Sequence, residues 1–109
     1  MAMSERSDAL WDKIESNPAL GRVLSYKADL TEPVTVAELE ALAKIFKLFQ
    51  DGWRVANATD RDELEALAID IADFLKRPLP CAVWEQKKVY RNPKFVRFVE
   101  RAIEAAGRL

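Results

Sequence analysis

The residues with the greatest chemical reach lie in the last third of the chain. Lys76, Arg77, Lys87, Lys88, Arg91, Lys94, Arg97 and Arg101 are interleaved there with Trp84, Tyr90, Phe95 and Phe98. Cations alternating with aromatic rings are what a surface needs to neutralise phosphates and stack bases. Lys87, Lys88, Arg91, Lys94 and Arg97 form the candidate binding surface on this reading. The competing explanation is structural. Short helices need large side chains to offset the entropy of ordering them, and Trp84 and Phe95, with Trp53 upstream, suit that anchoring role. The structural explanation is preferred, because the chain as a whole is acidic, with a pI near 5.5, and carries no zinc-finger spacing or RNA-recognition signature.

Other chemistry is bounded by what the 109 residues contain. There is no histidine. Histidine-based acid–base catalysis, histidine metal ligation and a Ser-His-Asp triad are therefore excluded. Cys81 is the single cysteine, so no internal disulfide and no CxxC motif exists. It follows Pro80 near an expected helix start, where a thiolate is favoured, but a buried inert thiol is the simpler reading. Asp60, Asp62, Glu63 and Glu65 cluster at a helix start without the spacing of a calcium loop, and capping accounts for them. Asp70 and Asp73 share a helix surface but have no Glu-x-x-His partner, so no di-metal site is expected. With no nucleophile–base pair, metal set or phosphate loop, no enzyme and no cofactor are expected.

Charge is divided along the chain. Residues 1–75 carry 15 acids and 8 bases, and residues 76–109 carry 3 acids and 9 bases, so the halves are near −7 and +6 while the total is −1. Such a split steers acidic partners or joins one part of a bundle to the other.

The elements that position these residues are legible from their punctuation. Half of the residues are hydrophobic and only three are glycine, and no segment alternates with period two. The expectation is a single all-α domain spanning 1–109. Ser7 is expected to cap a first helix carrying Leu10, Trp11 and Ile14. Asn17-Pro18 opens a short helix with Leu20, Val23 and Leu24, and Ser25 to Pro33 reads as a loop. Thr35 and Glu38 form a capping box, followed by a three–four stripe through Leu39, Leu42, Ile45, Phe46, Phe49, Trp53 and Ala56. Thr59 or Asp60 caps the next helix, striped by Leu64, Leu67, Ala68, Ile71, Phe74 and Leu75 and stopped by Pro78. Pro80 begins a short helix through Trp84, and Asn92-Pro93 begins the last, with Phe95, Phe98, Val99, Ala102 and Ile103 on its apolar face. The core is expected to be an antiparallel pair, about 36–57 and 60–76, covered by the shorter helices.

This order of elements resembles a family of small, functionally uncharacterised bacterial all-helical proteins. The residues carrying the resemblance are Trp11, Asn17-Pro18, the Leu39–Trp53 helix, Phe74, Pro78, Trp84-Glu85, Tyr90, Phe95 and Phe98-Val99. It implies a helical bundle and no particular activity. Many members carry an N-terminal membrane anchor, whereas this chain has no apolar run of spanning length. Leu79-Pro80-Cys81 also stands where the family tends to have a glycine-containing turn. MAMSERSD lacks the apolar core of a signal peptide, so a cytoplasmic location is expected. The functional expectation is a non-enzymatic interaction or regulatory module, acting through a protein partner or by self-association. The alternative is nucleic-acid or anionic-surface binding through the basic C-terminal helices.

Overall fold

The computed structural model describes the backbone of residues 2–107 and the side chains of residues 9–107. Among the described residues there are six α-helices and two short 3-10 turns, with no strand. The helices are α1 (Ala2–Glu15), α2 (Gly21–Leu24), α3 (Val36–Thr59), α4 (Arg61–Phe74), α5 (Pro78–Lys87) and α6 (Pro93–Gly107). The 3-10 turns, Pro18–Leu20 and Lys88–Tyr90, lead into α2 and follow α5.

The central pair is α3 and α4, joined at Asp60. Its carboxylate accepts from the backbone N–H groups of Asp62 and Glu63, so Asp60 is the cap. Thr59 instead donates its hydroxyl to the Val55 carbonyl, one turn back. α6 packs along α4 and meets α3 through Trp53, and α1, α2 and α5 cover α3. One apolar core runs through all of them, including Ile14, Val23, Leu42, Ile45, Ile71, Leu79 and Val99.

Three boundaries differ from the sequence expectation. α1 begins at Ala2, so Ser7 lies within it rather than at its cap, and the Ser7 side chain is outside the described residues. α4 ends at Phe74, four residues before Pro78. Pro78 opens α5 at its first position, and Pro80 falls within the same turn. Both prolines are tolerated there because the first-turn N–H groups have no intrahelical acceptor. The first α5 bond is donated by the Cys81 N–H to the Arg77 carbonyl.

The loop between α2 and α3 is organised by Arg22. Its guanidinium has five N–H donors, and the structure supplies five acceptors. Two are the Glu38 carboxylate oxygens, at 2.8 Å from Nε and 2.6 Å from Nη2. The others are the backbone carbonyls of Asp29, Glu32 and Pro33, at 2.9–3.0 Å. Glu38 also accepts from the Thr35 N–H at 2.9 Å, while the Thr35 hydroxyl accepts from the Glu38 N–H at 3.1 Å. The capping box thus has a cation behind it. Glu38 is only 2% exposed.

That environment lowers the Glu38 pKa from 4.5 to about 2, chiefly through the Arg22 hydrogen bonds and against the opposing effect of burial. The folded pKa lies below the unfolded one, so this contribution is complete above about 4.5 and is lost as pH falls toward about 2. Breaking a buried pair by removing one partner costs about 3–5 kcal/mol. Glu38→Gln is therefore expected to lose about that much stability in urea denaturation at neutral pH. It should also show a shallower loss of stability between pH 4.5 and 2 than the parent chain. A variant within about 1 kcal/mol of the parent, with the same acid profile, would show that the pair contributes little.

Candidate functional site: the groove between α3 and α5

The basic C-terminal residues do not form one surface. Arg77 is bound into the fold. Its Nε donates to the Leu24 carbonyl at 3.1 Å, and its guanidinium lies 4.4 Å from the Tyr26 ring centroid and 3.6 Å from the Asp73 carboxylate. Lys88 is held between Glu85 at 2.8 Å and Glu100 at 3.0 Å, and these two acceptors raise its pKa. The carboxylates that neutralise Lys88 thus come from α5 and α6 themselves, not from the acidic face of α4. Lys94, Arg97 and Arg101 are exposed along α6 and have no carboxylate within ion-pair distance among the described residues.

Lys87 and Arg91 are brought together elsewhere. They stand on the rim of a groove of about 470 Å³ between α3 and the α5 segment with its following 3-10 turn. Its α3 wall is Leu39, Ala43, Phe46 and Gln50, a single helical stripe with three- and four-residue steps. Its second wall is Val83 and Lys87 of α5, with Tyr90, Arg91 and Asn92 from the 3-10 turn and the residues that end it. Glu40 is the single acid in the lining. The floor is apolar, and the rim carries two cations a turn apart.

Arg91 is fixed where α3 and the turn meet. Its guanidinium donates to the Ala43 carbonyl at 3.5 Å and lies 5.8 Å from the Phe46 ring centroid. Partial burial lowers its pKa, yet a guanidinium stays protonated in water. Neither Lys87 nor Arg91 has a carboxylate partner among the described residues. Tyr90 is 81% exposed, with Lys87 Nζ 5.9 Å from its ring centroid. The Gln50 side-chain oxygen is buried and meets no hydrogen-bond donor.

The remaining aromatics lie beneath this surface. Trp84 is 1% exposed, edge-on to Phe46 at 5.4 Å and to Phe95 at 6.0 Å. Trp53 packs on Phe95 at 5.7 Å and on the partly buried Phe98 at 6.5 Å. Trp84, Phe95 and Trp53 therefore join α3, α5 and α6, and Tyr90 is the one ring of the C-terminal set that faces solvent.

Cys81 is partly buried, and burial together with Glu85 and Glu100 raises its thiol pKa. Burial and the neighbouring Asp73 likewise raise the Asp70 carboxyl. No group of three or more metal-ligating side chains occurs among the described residues. No described helix is long and apolar enough to cross a membrane.

The groove was not legible as a unit. The i, i+4 spacing of Lys87 and Arg91 puts them on one helical face, and that signal was present. What faced them was not, because the stripe of α3 is built from residues that also read as core. No family model matches the sequence, and no curated protein or solved structure matches it.

Trp84→Ala is expected to lower stability by about 3–5 kcal/mol through the cavity it leaves among Phe46, Phe95 and α5. A thermal melt unchanged from the parent would place the indole outside the core and return it to the solvent-facing ring set.

Proposed function

We propose that this chain is a non-enzymatic interaction module of the cytoplasm, and that it docks an acidic, amphipathic protein segment in the groove between α3 and α5. The observation carrying this reading is the pairing of an apolar floor, Leu39, Ala43, Phe46 and Val83, with two cations, Lys87 and Arg91, that no carboxylate neutralises among the described residues. An apolar helix face flanked by acids meets both requirements at once. The exposed Tyr90 ring gives such a segment an aromatic rim. The −7 and +6 halves of the chain favour acidic partners at this end over basic ones.

The test is a photo-reactive residue placed at Ala43, inside the groove, or at exposed Ala58 as a control. In the source cell the Ala43 probe should yield discrete protein adducts that Lys87→Glu weakens, and the Ala58 probe should not. Equal labelling from both positions would contradict the reading.

A second reading rests on one observation, the exposed stripe of Lys94, Arg97 and Arg101 along α6, which has no carboxylate partner among the described residues. It makes the chain a binder of nucleic acid or another anionic surface. Three exposed cations supply little affinity once counterions compete. Titration with duplex and single-stranded oligonucleotides in about 0.1 M salt is expected to show weak binding only. A micromolar complex that weakens steeply with salt, and is lost when Lys94 and Arg97 become Glu, would install the second reading.

A further inference from the structure

The outer face of α4 matches the groove in length, polarity and charge. Leu67, Ile71 and Phe74 turn inward, which leaves Asp62, Glu65, Ile69 and Asp73 along the opposite side. Ile69 is 70% exposed, a large apolar side chain set among acids. Asp73 is already engaged by Arg77 and the Tyr26 hydroxyl. Asp62 and Glu65 have no cation within ion-pair distance among the described residues. The stripe from Asp62 to Asp73 and the groove wall from Leu39 to Gln50 each cover eleven helical steps, roughly 16 Å at 1.5 Å per residue.

We infer that the groove receives the outer face of α4 from a second copy of this chain, an inference that rests on the reading of the groove as a docking site. Ile69 seats on the apolar lining, and Asp62 and Glu65 face the rim that carries Lys87 and Arg91. No α4 residue lines the groove, so the two halves of the contact occupy different surfaces of each copy. The inferred contact is heterologous: the groove of one copy takes the α4 face of the next without the reciprocal contact. Each associated copy still presents one free groove or one free α4 face, and association builds closed rings or open chains rather than a two-fold dimer. Its charged part weakens as salt screens it.

The test is sedimentation of the full chain from micromolar to millimolar concentration, with two surface variants. Ile69→Ser removes the inserted side chain, and Lys87→Glu reverses a groove cation. Both positions are exposed, and thermal melts confirm that the variants fold. The parent should gain mass with concentration and lose it with added salt, and each variant alone should stay monomeric. Mixed, they should form a 1:1 complex that grows no further, because one retains the α4 face and the other retains the groove. Assembly of the parent that Ile69→Ser leaves unchanged would overturn the inference. So would two variants that fail to complement, the signature of a symmetric interface. A parent that stays monomeric throughout, while the Ala43 probe captures a different protein, would overturn the second-copy occupant and keep the groove reading. A monomeric parent with no Ala43 adduct would remove both.

Discussion

The structure turns on one guanidinium. Arg22 uses all five of its donors to join a four-residue helix, an eleven-residue loop and the first turn of the longest helix. The loop has no helix or strand of its own, so three of its carbonyls would otherwise depend on water. Burying a charge is costly unless its partner and remaining hydrogen bonds are in place, and here they are. The Glu38 carboxylate serves twice, closing the capping box of α3 and neutralising Arg22. A domain of this size is stable by only about 5–15 kcal/mol, so breaking the pair by removing one partner, at about 3–5 kcal/mol, takes a large share of the margin.

The candidate site depends on that pair through chain geometry. Leu39 and Glu40, the next two residues, begin the α3 wall of the groove. Glu38 is buried directly before them, so fixing Glu38 fixes the start of the wall. The other wall is set from below. Trp84 sits between Phe46 and Phe95, which holds α5 at a defined distance from α3. The core thus decides which cations remain available. Arg77 and Lys88 are paired with carboxylates, whereas Lys87 and Arg91, the latter bound to the Ala43 carbonyl, have none among the described residues.

Much of the fold was legible because its signals are local. The Asn17-Pro18 and Asn92-Pro93 starts are seen in the structure, with each asparagine accepting from a first-turn N–H. The Thr35–Glu38 capping box and the apolar stripes of α3 and α4 are also where their spacing places them. The start of α5 was misplaced because two prolines within three residues both suit a first turn, and spacing alone does not choose between them. Arg22 was illegible for a different reason. Its partner is sixteen residues away across an irregular loop, and no periodicity links the two. The one hint was a cation embedded among Leu20, Val23 and Leu24. The basic C-terminal set was over-read as a unit because closeness in sequence is not closeness on a surface. Lys88 is turned about 100° from Lys87 on a helix, and Asn92-Pro93 places Lys94 and Arg97 on another element.

The account therefore rests on a carboxylate that is buried, paired and ionised. Carbon-13 NMR titration of the Glu38 side chain in the folded protein measures this without perturbing the molecule. The structure predicts a midpoint near 2, well below the ordinary 4.5. A midpoint at the ordinary value would mean that Arg22 does not hold Glu38, and that the loop and the first turn of α3 are organised in some other way.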